Sequence, residues 1–248
     1  MVFDDVREIW LTAQDTGAYG FDKDYNLATL LEEVCKIRRE FFVRVGMMNP
    51  QNALEILDQL VKAFDNDKIF KFLHIPVQSG NDGVLKSMSR FYSVNDFKRI
   101  VDSFRKIMPD ISLSTDIICG FPGESEKAFE DSLKLIKEVE PDVVNISKFF
   151  PRPKTVAATK KQLSSQTVKA RSREMSILCK DISRKRNRRW LNWTGRILLD
   201  EKGKKSSIIG RNFAYKPVVL SGYVASLGKQ VRVRVKKACP TYLVGELI

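Results

Sequence analysis

Apolar residues in the first 150 positions alternate between short β-rich runs and stretches with helical spacing. In the helical stretches they recur every three or four positions, as in Leu54, Leu57, Val61 and Phe64. Five β/α steps of this kind predict a parallel sheet covered by helices. The β-rich runs are residues 6–11, 41–45, 69–75, 111–119 and 143–147.

The pattern changes in the last third of the chain. Residues 160–189 contain no Pro or Gly and end in a basic stretch, which predicts a connecting helix. After Trp190, short β-rich runs are separated by turn signals, and five short strands in this space predict a small antiparallel β-barrel of the OB type. We place the boundary near residue 188. The runs are residues 195–199, 206–209, 217–220, 230–235 and 242–244.

Charge is divided unevenly between these two parts. Residues 1–151 hold 19 Lys and Arg against 25 Asp and Glu, whereas residues 152–248 hold 24 against 5. A strongly cationic region beside a mildly acidic one indicates a polyanionic partner that is met mainly by the C-terminal part. The alternative is a basic surface that only aids solubility.

Targeting and cysteine signals are weak. No apolar run is long enough to span a bilayer, and the first 20 residues lack a signal-peptide pattern, so we expect a cytoplasmic protein without membrane contact.

The cysteines are 84, 60 and 60 residues apart, so no pair has the short spacing of a zinc or cluster site. They are expected to be reduced and structural, and no metal site is predicted. The cysteines are Cys35, Cys119, Cys179 and Cys239.

Unusual polar residues follow each predicted strand of the first part. Gln14 and Asp15 follow the first strand, His74 and Gln78 the third, and Asp116 lies near the end of the fourth. Because ligands bind at the carboxyl ends of parallel strands, these segments predict one site built from several loops. Polar βα loops also occur without any site, and a lone histidine is often structural.

A short turn follows the fourth predicted strand. Gly120 to Ser125 reads Gly-Phe-Pro-Gly-Glu-Ser, in which Pro-Gly favours a tight turn and Glu124 or Ser125 can start a helix. Such a helix start has free backbone donors that can hold a carboxylate or a ribose hydroxyl. The motif alone is weakly specific.

Taken in order, these segments resemble the methylthiotransferase family of radical S-adenosylmethionine enzymes, in particular its archaeal and eukaryotic branch acting on threonylcarbamoyladenosine in tRNA. The last barrel resembles a TRAM domain. The resemblance covers nearly the whole chain and implies a partial TIM-like (β/α) radical SAM barrel of about five strands. The matching segments are residues 8–20, residues 73–80 with Met88, Arg90 and Tyr92, residues 115–124 and residues 210–219.

The resemblance implies a reaction and its cofactors. The family adds a methylthio group at C2 of N6-threonylcarbamoyladenosine, next to the tRNA anticodon. It uses S-adenosylmethionine and two 4Fe-4S clusters, whose cysteines lie in a CxxxCxxC motif and in an N-terminal domain. Neither cysteine set is present in this chain. We therefore expect a fragment or one subunit of a split enzyme, which requires a cluster-binding part or second subunit and is inactive alone.

Site residues follow from the same resemblance. Gln14 and Asp15 are expected near the methionine amino group, and Arg44, Gln78 and Asp116 near its carboxylate, the ribose or the modified base. His74 belongs to the same site, while Gly120 and Glu124 match the segment that supports adenosine. The residues expected to contact the tRNA anticodon stem-loop are Arg90, Arg152, Lys154, Arg188, Arg189, Arg211, Asn212, Tyr215 and Lys216.

Three segments and two alternatives complete the prediction. Residues 1–160 are expected to form the partial barrel, 161–187 the basic helix and 188–248 the TRAM barrel. One alternative is a non-catalytic tRNA-binding module whose barrel remnant serves as scaffold. The other is an ordinary barrel enzyme with His74 and Asp116 as acid and base, for which no nucleophile or paired carboxylates are found.

Overall fold

A computed structural model describes residues 6–204, 206–223 and 225–248. Its first part alternates parallel strands with helices, which confirms the predicted α/β class. None of the helices in these ranges is long and apolar enough to cross a bilayer. The elements are β1 (Glu8–Leu11), α1 (Leu27–Lys36), β2 (Phe42–Val45), α2 (Pro50–Glu55), α3 (Leu57–Phe64), β3 (Phe72–His74), α4 (Asp82–Ser87), α5 (Val94–Ile107), β4 (Ser112–Cys119), α6 (Glu126–Val139) and β5 (Val143–Lys148).

The five strands lie side by side in chain order and all run parallel. β1 pairs with β2, and β3, β4 and β5 form a second ladder. In the part of the chain that the structure describes, a bridge between Val43 and Ile69 joins the two ladders. The five strands therefore form one parallel sheet with little pairing between β2 and β3. The carboxyl ends of all five strands lie at the same edge of this sheet.

Side chains alternate between the two faces of this sheet because the strand period is two. In β4, Leu113, Thr115 and Ile117 are buried under the helices, while Asp116 is only partly covered on the opposite face. We call that opposite face the inner face. The helix side holds the main hydrophobic core, so the inner face is left for polar chemistry.

Local sequence explains where the helices start and stop. Asn26 and Ser93 form capping boxes at the starts of α1 and α5. The predicted helix over residues 50–64 is instead two helices, because Ile56 leaves helical geometry between them. Helix α4, in the loop after β3, was not predicted at all.

The C-terminal part consists of a long helix and a closed five-stranded barrel, as predicted. The barrel order is β10-β8-β7-β6-β9, and β8 with β10 is its one parallel pair, which gives the OB arrangement rather than a fully antiparallel barrel. The elements are α7 (Val156–Thr159), α8 (Ser165–Arg188), β6 (Thr194–Lys202), β7 (Ser207–Arg211), β8 (Pro217–Ser221), β9 (Gln230–Ala238) and β10 (Leu243–Leu247).

The barrel has its own core and is also docked onto the sheet. Ile197, Val218 and Val233 are buried inside it. A separate small cluster of Phe70, Phe72 and Leu198 joins β6 to the inner face near β3. Helix α8 packs on α6 and β5 with buried Met175 and Cys179. The long helix therefore connects the sheet and the barrel through packed contacts on both sides.

Candidate functional site on the inner face of the sheet

A hydrogen-bonded trio joins the last residue of β3 to the middle of β4 and β5. The Asp116 carboxylate is 3.0 Å from His74 Nε2 and accepts a hydrogen bond from Asn145 Nδ2 at 2.7 Å. Burial alone would raise the pKa of Asp116, but the hydrogen bonds from His74 and Asn145 outweigh it, so that pKa lies below its ordinary value. Asp116 is thus an ionised acceptor, only partly exposed, on a face that a ligand can reach.

Asn145 is a member of this trio that the sequence reasoning missed. It lies directly opposite Asp116 in the β4–β5 register, which places both side chains on the inner face. The available signal was a polar residue at the second or third position of a short apolar strand. Both residues could offer hydrogen bonds to a polar ligand in addition to those they share.

Arg44 lies on the same face in an aromatic cage. Its guanidinium carbon is 4.9 Å from the Trp10 ring, 5.1 Å from Phe72 and 5.3 Å from Tyr215. Its Nε atom is buried without a hydrogen-bond partner among the described residues. A fixed cation with an unused donor is suited to hold a carboxylate or another anionic group.

The loop after β1 is organised by Asp15. One carboxylate oxygen accepts hydrogen bonds from the Gly17 and Asn49 backbone at 2.9 and 3.0 Å, and the other accepts one from Asn52 at 2.7 Å. These three donors connect the loop to the start of α2. Gln14 is exposed beside it. Asp15 therefore shapes this part of the edge, while Gln14 is the side chain that faces outward.

Gln78 extends the pairing of β3 with β4 beyond the strand end. Its backbone N–H donates to Asp116 O at 2.8 Å, and its carbonyl accepts from Ile118 at 2.9 Å. Gln78 has φ of 70°, in the left-handed region. Two residues later, a Cβ on Gly80 would be 2.5 Å from the Ser132 backbone in α6. This loop is thus held closely against the helix behind it.

The Glu124 carboxylate accepts hydrogen bonds from other groups of the protein. It is buried, and its Oε2 atom accepts from the Gly120 backbone at 2.9 Å and from Arg171 at 2.7 Å. Gly120 has φ of 83°, and any Cβ there would be 2.5 Å from Val168. Burial raises the pKa of Glu124 against the opposing effects of these donors. Glu124 anchors α8 to the turn, a partner that the sequence did not indicate.

Comparison with known proteins places the chain in a family. Residues 2–136, more than half of the chain, match the Radical SAM superfamily, and residues 193–248 match the TRAM domain. This chain belongs to the Radical SAM superfamily. The resemblance inferred from its motifs is confirmed, and the parallel sheet is part of a radical SAM fold.

The relatives that match this radical SAM chain are considerably longer. The probable threonylcarbamoyladenosine tRNA methylthiotransferase of Pyrococcus horikoshii is 46% identical over 242 residues, covering 98% of this chain and 56% of its own length. The threonylcarbamoyladenosine tRNA methylthiotransferase of Homo sapiens is 37% identical over 243 residues, covering 97% and 42%. The chain spans about half the length of the curated relatives it matches.

A solved structure agrees with the fold. Coproporphyrinogen III oxidase from Escherichia coli, described as a radical SAM enzyme, covers 90% of this chain and 56% of its own with a TM-score of 0.50. The two sequences are 15% identical, so this likeness concerns the fold alone.

The TRAM segment requires two corrections to the predicted RNA contacts. Asn212 and Lys216 are buried, at 0% and 5% exposure. Asn212 Oδ1 accepts from the backbone of Ala214 and Lys216 and shapes the turn. Lys216 Nζ donates to Asp142 at 2.8 Å. A buried lysine bound to a carboxylate cannot contact a phosphate in this arrangement, so both residues are structural.

Two other predicted RNA contacts lie at the junction of sheet and barrel. Arg211 is paired with Asp200 at 2.8 Å and with Glu201 at 2.9 Å. The Tyr215 hydroxyl donates to Glu8 at 2.9 Å, and burial raises the pKa of Tyr215. Together with the Arg44 cage, these contacts bring the TRAM barrel to the inner face of the radical SAM sheet.

The remaining predicted RNA contacts are accessible. Arg152, Lys154, Arg188 and Arg189 are exposed, and Arg90 is half-buried. Arg189 makes a surface ion pair with Asp110 at 3.0 Å. Their contact with RNA stays a prediction.

A buried charge network joins the sheet, α8 and the barrel. The Asp142 carboxylate accepts hydrogen bonds from the Leu113 backbone at 2.9 Å, from Arg186 at 3.1 and 3.2 Å, and from Lys216 at 2.8 Å. Asn187 binds Lys216 and also donates to the carbonyls of Cys239 and Pro240. We call Asp142, Arg186, Asn187 and Lys216 the docking network. It was not predicted.

The cysteines of the described residues do not fit an iron–sulfur cluster. Cluster ligands are thiolates grouped around the metal, and no group of three or more His, Cys, Asp or Glu in the described ranges could hold one. Burial raises the pKa of Cys119 to about 12 and that of Cys179 to about 11. The thiolate form is therefore disfavoured at both positions.

Proposed function

We propose that this chain is the barrel and TRAM portion of a tRNA methylthiotransferase that adds a methylthio group at C2 of N6-threonylcarbamoyladenosine, next to the anticodon. The observation that supports this most is the continuous similarity, at 46% identity over 98% of the chain, to a relative of that name. Similarity that covers the barrel, the helix and the TRAM segment together supports a shared fold and function. The modification of tRNA would take place in the cytoplasm.

The division of labour follows three segments. Residues 1–160 would provide the cofactor and substrate face, 161–187 the connecting helix, and 188–248 the TRAM barrel for RNA. Separate hydrophobic cores in the sheet and in the barrel support this division. So does the excess of cations over carboxylates after residue 151.

The inner face fits S-adenosylmethionine, which carries both an amino acid group and an adenosine. Arg44 has an unused buried donor for a carboxylate, and Asp116 is an ionised acceptor. Gln14, His74 and Gln78 would complete the surroundings. When bound with a cluster, S-adenosylmethionine supplies radical chemistry. The chain's own contribution is to orient the cofactor and to position the base against it.

Cluster ligands would come from outside the described residues. Because the cysteines described here do not fit this group, we assign no step of the reaction to them. The partner would be a cluster-binding part of the same protein or a second subunit. Both 4Fe-4S clusters of the family would belong to that part.

Deletion of the gene tests this function directly. In tRNA from the deletion strain, nucleoside mass spectrometry is expected to show loss of the 2-methylthio form and accumulation of N6-threonylcarbamoyladenosine. Restoring the intact gene should reverse the change. An unchanged methylthio content would contradict the proposal, and together with retained tRNA binding it would favour a non-catalytic tRNA-binding module.

Salt dependence tests the RNA contacts of the basic helix end. Replacing Arg188 and Arg189 with Gln should lower the slope of log affinity against log salt by about 0.7–0.9 for each phosphate that is no longer neutralised. The matched control replaces Lys36 and Lys62 with Gln, two lysines on helices of the acidic part. Binding of labelled tRNA is measured at several salt concentrations. Equal slopes for the two double variants would show that Arg188 and Arg189 do not contact the RNA phosphates.

A further inference from the structure

Three of the most exposed large apolar side chains belong to one small region. Phe91, Phe150 and Val156 are 80%, 79% and 76% exposed. Residues close to them in sequence, Met88, Phe149 and Ala157, pack together in a small hydrophobic cluster that contains buried Phe121. Apolar groups exposed to this extent and gathered in one place indicate a binding surface. With the cations between them, we call Arg90, Phe91, Phe150, Arg152, Lys154 and Val156 the aromatic–basic rim.

The rim lies at the carboxyl edge of the sheet. Tyr92, next to Phe91, donates its hydroxyl to the carbonyls of Pro76 and Val77 just after β3, both at 3.2 Å. Phe149, next to Phe150, donates its N–H to Cys119 O at the end of β4, at 2.9 Å. Both exposed rings are therefore held at the carboxyl edge of β3 and β4, which lies beyond His74 and Asp116 along these strands.

The residues next to the two exposed rings, Tyr92 and Phe149, are held in place by contacts within the protein. Tyr92 is buried, and burial raises its pKa to about 12. Phe149 packs edge to face on Phe121, with ring centroids 5.1 Å apart. Thr155 closes the turn after Phe150 by donating to the Arg152 carbonyl at 2.8 Å. The backbone that carries the two rings is therefore held in place before a partner binds.

The cations of the rim are available for a partner. Arg90, Arg152 and Lys154 form no ion pair within the described ranges. Lys160 adds a further cation 5.9 Å from the Phe121 ring. Aromatic faces interleaved with free cations fit an anionic chain with unstacked bases. A paired stem would use only the cations, because its bases are stacked inside the duplex.

We infer that the aromatic–basic rim binds unpaired loop nucleotides of the RNA, with Phe91 and Phe150 stacking on bases that flank the target. This rests on the proposed function and adds a second RNA surface to the TRAM barrel. The TRAM barrel and helix end would hold the stem through phosphates. The rim would hold the loop open beside the inner face.

Fluorescence anisotropy with the full chain tests the rim. The probes are a labelled anticodon stem-loop and the same stem as a blunt duplex. Phe91→Ala with Phe150→Ala should weaken stem-loop binding about 30-fold and leave duplex binding unchanged, because the variant removes stacking and keeps the charge. Phe91→Trp with Phe150→Trp should retain affinity, and Phe91→Leu with Phe150→Leu should not.

A matched control removes similar apolar area elsewhere. Ile107 and Ile177, 51% and 57% exposed on α5 and α8, are replaced together with Ala and should leave both affinities unchanged. Full binding by the Phe-to-Ala variant, or full rescue by Leu, would overturn the inference while leaving the proposed function intact. A wild-type chain that binds neither RNA would overturn the proposed tRNA contact itself.

Discussion

A chain carrying Asp142→Ala is expected to lose about 3–5 kcal/mol of unfolding free energy, because the substitution leaves two buried cations without their carboxylate. The Asp142 and Lys216 side chains are 2% and 6% exposed, so water cannot take the place of the carboxylate. The Leu113 N–H would lose its acceptor as well. Urea denaturation, followed by far-ultraviolet circular dichroism, measures the change.

The control for this prediction is Asp181→Ala on α8, the helix that carries Arg186. Asp181 also pairs with an arginine, Arg184, at 3.4 Å, but its side chain is 65% exposed. Such surface pairs contribute about 0–1 kcal/mol, so this variant should unfold almost as the wild type does. Equal losses in the two variants would show that the docking network contributes no more than a surface pair.

The docking network also predicts how stability depends on pH. Burial would raise the pKa of Asp142, but Lys216 and Arg186 outweigh it and hold that pKa below its ordinary value. A carboxyl whose pKa is lower in the folded state contributes stability above its unfolded pKa of about 4 and loses it as the pH falls through the folded pKa. The difference in unfolding free energy between wild type and Asp142→Ala should therefore be constant above about pH 4 and shrink as the pH falls below it, which urea denaturation at several pH values measures.

The fold was largely predictable because hydrophobic periodicity reflects which face of each element is buried. The strands follow from β-rich runs such as residues 111–119, in which Ile111, Leu113 and Ile117 recur at every second or fourth position and are buried on the helix side. The break at Ile56 was not predictable, since its apolar neighbours keep helical spacing on both sides. The OB arrangement followed from strand count and spacing, while its parallel pair depends on long-range pairing.

The site was predictable only in part, because partners distant in sequence decide which polar groups are free. His74 and Asp116 were expected at one edge, and their contact follows from adjacent parallel strands. Lys216 lies in a strongly basic segment and reads as a surface residue. Its burial depends on Asp142, 74 positions earlier, and no local pattern reports that pairing.

Glu124 illustrates the same difficulty and carries the second large prediction. Its side chain is 1% exposed and holds both the Gly120 N–H and Arg171, whose side chain is 8% exposed. The same arginine reaches Glu126 at 3.0 Å, but that carboxylate is 73% exposed. Arg171 therefore pairs with one buried and one exposed carboxylate. Removing each in turn compares the stability contributed by a buried ion pair with that contributed by an exposed one.

Glu124→Ala is expected to cost about 3 kcal/mol or more, whereas Glu126→Ala should cost less than about 1 kcal/mol. Only the first takes the buried carboxylate away from Arg171, which keeps Glu126 and the Glu124 carbonyl as acceptors, and only the first leaves the Gly120 N–H without its acceptor. Urea midpoints measure the difference, and Glu124→Gln should fall between the two because it keeps an acceptor for Gly120. If Glu124 instead bound the cofactor without anchoring α8, Glu124→Ala would be as stable as Glu126→Ala and would lose only affinity for S-adenosylmethionine.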